Sequence, residues 1–265
     1  MSVSESLVLV ERVGDVAVIK LNDASKMNAI TDTLQSNLLQ VLGEVQKDTT
    51  CRAIVLTGAG RAFCAGADLK WMERTEDLAN RAFRIMEKIG TPLVLALRES
   101  PIPIVCAANG PVAGGGVGLA LACDVVVAAK SAYFYLPFLT RLGIVPDLGS
   151  TWFLERFLGR SRAIGMSLLD ERVDAERAVQ WGLAWECVDD DKLMERALAT
   201  AARLAKLPAH AVVEARKAFD SATTSTLADQ LSYEARRQHE LIGRPTFREG
   251  LRAFIEKRNP VFPSR

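Results

Sequence analysis

The sequence predicts an α/β fold with parallel strand pairing, closed by a helical C-terminal region. Short apolar runs at 53–57 and 102–107 have the composition of strands buried on both faces. Each leads into a glycine-rich stretch, and segments of helical spacing separate the runs, the alternation that parallel pairing through crossovers requires. From about residue 190 onward the spacing is almost wholly helical.

Taken in order, residues 7–11 and 16–21 are short runs in which β-branched and apolar residues alternate on either side of Gly14-Asp15, so a hairpin opens the chain. Leu34, Leu38, Val41, Leu42 and Val45 recur at helical spacing after Thr31 or Asp32, either of which suits an N-cap, which predicts a helix over 31–47. The strand at 53–57 runs into a long glycine-rich loop, 58–68. A helix follows over 77–98, then the strand at 102–107, a second glycine loop at 109–116, a helix to about 123 and a strand at 124–128. After a short strand at 133–135, residues 136–149 form a loop ending in a helix at about 148–157. Helices at 190–206, 208–220, 226–242 and 245–257, punctuated by Pro208, Gly243 and Pro245, complete the chain.

The 265 residues suit one large domain or one with a smaller appendage, at about 150 residues per domain. Hydrophobic residues at 49% and charged residues at 25% are an ordinary globular mix. A net charge of +1 supplies no global basic field for a nucleic-acid backbone, which argues against nucleic-acid binding. Charge is uneven, however: residues 1–200 carry 21 basic and 25 acidic side chains, and residues 201–265 carry 12 and 7, so the tail suits an anion. Five widely spaced cysteines without a C-x-x-C pair read as reduced thiols in a cytoplasmic compartment. His210 and His239 stand far from the glycine loops and read as surface helix residues, which leaves no histidine triad and no metal centre. Residues 1–5 lack the basic and apolar segments of a secretory leader. Residues 100–123 are uncharged, yet three prolines and five glycines interrupt them, which argues against a membrane span.

Both glycine loops lead from a strand into a helix, whose N-terminal N–H groups are unpaired and carry partial positive charge. Side by side, one N–H from each would bracket a carbonyl oxygen and stabilise an oxyanion. Tight helix–strand packing explains the same glycines equally well. A dinucleotide fingerprint fails, because Gly114, Gly116 and Gly118 have the wrong spacing and no acidic residue follows about 20 positions on. Asp147, set in Ile144-Val-Pro-Asp-Leu148, is the best-placed carboxyl for proton transfer, since apolar surroundings raise a carboxyl pKa. It also suits the cap of the helix expected at 148, and the two roles are compatible. Asp68 and Asp124 read more simply as loop or cap residues.

The stretches Ala62-Phe-Cys-Ala-Gly-Ala-Asp-Leu69 and Ile102-Pro-Ile-Val-Cys-Ala-Ala-Asn-Gly-Pro-Val-Ala-Gly-Gly-Gly-Val-Gly-Leu-Ala-Leu-Ala-Cys-Asp124 resemble the crotonase (enoyl-CoA hydratase/isomerase) superfamily. The likeness runs from Met27-Asn-Ala-Ile through Gly182-Leu to Glu249-Gly-Leu-Arg-Ala-Phe-Ile-Glu-Lys257. It implies a spiral of repeated ββα units over residues 1–200 and a helical trimerisation and CoA-contacting region over 201–265. It further implies a homotrimer or dimer of trimers and an acyl-CoA thioester substrate, with coenzyme A part of the substrate and no tightly bound cofactor. The family's oxyanion donors fall on the N–H groups of Ala67 and Gly115. Coenzyme A contacts fall on Lys26 and the backbone around Ala65, and Phe254 and Lys257 match positions that reach the ligand of a neighbouring subunit. Substrate contacts are expected from Asp68, Phe138 and Leu142.

Family hydratases split water with two glutamates. One position is Gly118 here, and the other falls on Phe138 or Leu139, so neither carboxylate is present. Asp147 instead matches the acidic residue of the family's double-bond isomerases, ring-modifying isomerases and aromatic dehalogenases. One carboxyl moves a proton between two carbons more readily than it both activates water and delivers a proton, so isomerisation of an enoyl-CoA is the expectation. Hydration, ring isomerisation of an aromatic CoA ester and a catalytically inactive CoA-ester binder are the alternatives, with little to support dehalogenation.

Overall fold

The computed structural model describes residues 6–263; residues 1–5, where the absence of a leader is read, lie outside them. Strands β1 (Val8–Val13) and β2 (Val16–Leu21) form the expected antiparallel hairpin. Helix α1 (Asp32–Lys47) begins where Thr31 caps it, the side chain accepting from Leu34 N at 3.1 Å. Strands β3 (Ala53–Gly58), β4 (Ile104–Ala108), β6 (Val125–Ala129) and β9 (Glu186–Val188) then add in parallel, giving a six-stranded sheet ordered β1-β2-β3-β4-β6-β9. Short strands β5 (Val112–Ala113), β7 (Tyr133–Tyr135) and β8 (Val173–Asp174) make a second sheet ordered β5-β7-β8.

Alternation along each strand divides the large sheet's side chains between two cores. Ile19, Ile54, Leu56 and Cys106 face the larger core with Leu34, Leu38 and Leu42 of α1. Val18, Val55, Val105 and Val127 face the other, which Leu193, Ala197 and Ala201 of α8 (Leu193–Leu204) cover. Helix α8 therefore crosses residue 200 as part of the sheet's packing.

Between β3 and β4 the single helix expected over 77–98 is broken. Helices α2 (Leu69–Glu73) and α3 (Leu78–Ile85) lead to a wide π-type turn, Met86–Gly90, and then to α4 (Thr91–Arg98). Pro92 in the first turn of α4 has no N–H to donate back, and the backbone widens just before it, Thr91 N–H reaching Met86 O.

Helix α5 (Gly115–Leu121) is wholly buried. Helix α6 (Ser150–Leu168) is longer than the expected 148–157 because it continues past a bend at Gly159, φ 71° and ψ 160°. Helix α7 (Ala175–Trp181) precedes β9. Helices α9 (Ala209–Ala222), α10 (Leu227–Ile242) and α11 (Pro245–Ile255) follow α8. Polar anchors hold the start of this region to the sheet. Arg216 forms two 2.6 Å bonds to Asp124 and donates to Ser100 O and Ile102 O, and Arg98 pairs with Asp220 at 2.5 Å. Asp124 is thereby a structural ion-pair partner that also accepts from Ile104 N. No helix among the described residues is long and apolar enough to cross a membrane.

Candidate active site

The two glycine loops are joined by backbone bonds. Cys64 and Val112 form a parallel bridge, Cys64 N donating to Pro111 O at 3.1 Å and Ala113 N to Cys64 O at 2.9 Å. In that register Ala67 and Gly115 each stand three residues beyond the bridge. Two residues beyond it, Gly66 and Gly114 touch: a Cβ on Gly114 would sit 3.2 Å from the Gly66 Cα. Both have positive φ, 88° and 55°, so glycine is required for space and for conformation. Among the described residues no backbone carbonyl accepts from Ala67 N or Gly115 N. Gly115 is the first residue of α5, where intrahelical bonding has not begun.

Two asparagines hold the first loop. Asn28, fully buried with φ 54°, donates to Ala59 O and Ala62 O and accepts from Asp23 N. Asn109 accepts from Gly58 N at 3.1 Å and donates to Gly60 O and Ala62 O. Neither is conspicuous in the sequence; the only signals are an Asn beside Met27 in the quoted Met-Asn-Ala-Ile stretch and an Asn-Gly pair at 109–110. Cys64 lies inside this loop, but burial pushes its thiol up to about 12, so it packs as an apolar residue rather than serving as a nucleophile.

Asp147 stands against the second loop. Its Oδ1 lies 3.2 Å from where a Cβ on Gly115 would sit. That oxygen is buried without a hydrogen-bond partner among the described residues. Burial raises the carboxyl to about 6, and its own backbone N–H pulls the other way. Asp147 does not cap the following helix: Leu148 (φ 47°) and Gly149 (φ 79°) turn the chain first, Gly149 is the cap residue, and no side chain bonds there. Gly118 is a site of close approach, since a Cβ there would collide with the Leu148 carbonyl oxygen and lie 2.9 Å from its carbon. Phe138 is buried, with its ring tip 3.9 Å from the Cβ position of Gly114. Leu142 ends a π-type turn, Phe138–Leu142, and is largely exposed, as is Leu139.

A cleft of about 1420 Å³ opens beside Ala67, lined by Lys26, Ala65, Ala67 and Asp68 and by the cations Arg61 and Lys70. Lys26 and Asp68 pair across it at 3.1 Å. Asp68 also caps α2, accepting from Trp71 N at 3.1 Å, and that bond and Lys26 hold its carboxyl below the usual range. Ala65 N donates to Met27 O. Phe254, on α11, and Lys257, just beyond it, do not line this cleft; Phe254 is 85% exposed.

A parallel sheet with two bridged glycine loops and a buried carboxyl beside the second of them is the arrangement of an α/β enzyme of the crotonase fold. The chain belongs to the enoyl-CoA hydratase/isomerase family, whose model matches residues 11–265. It is 41% identical over 251 residues to the 1,2-epoxyphenylacetyl-CoA isomerase of Escherichia coli (strain K12), covering 93% of this chain and 94% of that protein. It is 43% identical over 249 residues to a probable enoyl-CoA hydratase of Rhodobacter capsulatus, covering 94% and 95%. The crystal structure of an enoyl-CoA hydratase from Bacillus anthracis is similar at TM-score 0.89 and 31% identity, covering 97% of this chain and 98% of that one. Enzymes of this family act on CoA thioesters.

Proposed function

We propose that the protein shifts a carbon–carbon double bond in an enoyl-CoA, with Asp147 as the proton carrier. The observation that carries this reading is the Asp147 Oδ1 beside Gly115, the expected oxyanion donor, in a site with no carboxylate at position 118 or 138. In a 3-enoyl-CoA, ionised Asp147 takes a proton from C2. The C2–H electron pair moves toward the thioester carbonyl, and Ala67 and Gly115 N–H hold the dienolate oxygen. Protonated Asp147 returns the proton to C4, and the double bond ends between C2 and C3. A carboxyl near 6 suits both halves of that exchange near neutral pH.

Phe138 and Leu148 keep water from the carboxyl in this reading, with Leu142 at the acyl entrance. Lys26 and the Ala65 backbone hold the coenzyme A portion, with Asp68 releasing Lys26 to it. In this reading the catalytic core of residues 1–200 extends to the end of α8, and the rest of 201–265 assembles a homotrimer or dimer of trimers. The exposure of Phe219, Leu227 and Phe254 on the last helices supports such an assembly, in which Phe254 and Lys257 meet a neighbour's ligand. Five unpaired thiols support a reducing, cytoplasmic setting.

Proton NMR with 3-hexenoyl-CoA and crotonyl-CoA in deuterium oxide tests the reaction. Conversion to 2-hexenoyl-CoA, without hydration of crotonyl-CoA, is expected; formation of 3-hydroxybutyryl-CoA overturns it. The likeness to a 1,2-epoxyphenylacetyl-CoA isomerase favours a second substrate, an epoxidised aromatic CoA ester, for the same site. Its turnover in place of 3-hexenoyl-CoA would select that reading.

A further inference from the structure

Leu148 has a backbone that a leucine rarely adopts, φ 47°, a conformation that costs a non-glycine residue on the order of 1 kcal/mol. A glycine would take it without strain, as Gly149 does next door. The side chain must therefore be held by its surroundings, and three glycines from two elements make the room. A Cβ on Gly90, at the end of the wide turn, would lie 2.8 Å from Leu148 Cδ2. One on Gly115 would lie 2.7 Å from Leu148 Cδ1. One on Gly118 would lie 3.1 Å from Leu148 Cβ and collide with its carbonyl oxygen. Gly115 and Gly118, three apart on α5, present one face of that helix.

We propose that Leu148 is a positioning residue: seated in the socket of Gly90, Gly115 and Gly118, it fixes the peptide that carries Asp147 and thereby aims the carboxyl at the oxyanion donors. The socket has a second consequence. The main chain of Leu148 fills the space that a side chain at position 118 would need, so a carboxylate there and a seated Asp147 exclude one another. The site is built for one proton carrier, and a Gly118→Glu change displaces Asp147 instead of adding a partner to it. This inference rests on the isomerase reading, with Asp147 as base.

Leu148→Gly keeps the backbone relaxed while removing the seated side chain, Leu148→Ala shortens it, and Leu148→Met restores its bulk. With 3-hexenoyl-CoA, the Gly and Ala variants are expected to lose about 10- to 100-fold in kcat, with KM within about threefold of the parent. The Met variant is expected to recover most of that loss. Gly118→Ala should mimic the loss by pushing Leu148 from the other side. Carbon-13 NMR of the Asp147 carboxyl gives a readout independent of substrate: its titration midpoint falls toward the ordinary carboxylate value in Leu148→Gly, in folded protein of unchanged affinity for CoA product. Parent-like kcat and an unmoved Asp147 midpoint in Leu148→Gly would overturn the proposal. So would a loss that Met does not repair. Asp147→Asn, run in parallel, separates the two readings. If it retains turnover the isomerase reading itself fails; if it is inactive while Leu148→Gly behaves as parent, only the positioning role fails.

Discussion

Gly66 and Gly114 meet main chain to main chain, a Cβ on either falling within 3.3 Å of the other's Cα. Each directly precedes an expected oxyanion donor, Ala67 or Gly115, so their contact sets the spacing between the two N–H groups. The register comes from the Cys64–Val112 bridge, and the absence of side chains lets it close. Gly114→Ala would force the loops apart and strain its own φ of 55°. A fall in kcat of about 10²-fold is expected, the usual cost of losing one such donor. Steady-state kinetics on the purified variant, with its melting temperature as control, checks this.

The acid limb of the rate profile should report Asp147. Proton abstraction needs the ionised carboxyl, whose burial sets it at about 6. kcat/KM is therefore expected to be level above that pH and to fall about tenfold per unit well below it. An acid limb centred near 4 would show that the carboxyl is not buried in the working enzyme.

The same burial makes Asp147 a cost to folding. Its folded pKa is raised above the ordinary value, so the folded state binds the proton more tightly. The cost is absent below about pH 4, grows between about 4 and 6, and is constant above. Asp147→Asn is expected to be more stable than the parent at pH 7 by about 1–3 kcal/mol, an advantage that vanishes at pH 4. Urea denaturation at the two pH values checks it.

Asn28 ties Asp23, Ala59 and Ala62 together from a buried position. Asn28→Ala takes these bonds from Asp23 N and Ala59 O and leaves Ala62 O only its bond from Asn109, which is expected to cost about 2–4 kcal/mol, with kcat falling because the Ala67 loop loosens. Denaturant unfolding and kinetics on one preparation measure both.

Arg216 and Asp124 are 10% and 19% exposed and face each other with two short bonds. Arg216→Ala strands a half-buried carboxylate and is expected to destabilise by about 3 kcal/mol. It should also free α9 for limited proteolysis near residue 208, detected as a shortened fragment by mass spectrometry.

Strands β1 to β4, β6 and β7, helix α1 and both glycine loops were legible in the residues because each depends on local chemistry, whereas β5, β8, β9 and α7 were not. A run of β-branched and apolar residues marks β2, spacing marks α1, and Thr31 caps it as its position suggests. The likeness to a known family pointed to Ala67 and Gly115, and the bridge between their loops puts them in matching register. Other features depend on contacts between distant segments, and no local period encodes those. Helical spacing over 77–98 hides the widened turn before Pro92. An aspartate just before a helix looks like a cap until Leu148 and Gly149 turn the chain and leave its side chain beside Gly115. Gly118 looks like a lost catalytic residue, and only the fold puts the Leu148 main chain in the space its side chain would fill. The residues alone determined which groups were present to react. Packing of Leu148 against Gly90, Gly115 and Gly118, a property of the folded molecule, puts the Asp147 carboxyl beside Gly115 and the Leu148 main chain where a side chain at position 118 would go.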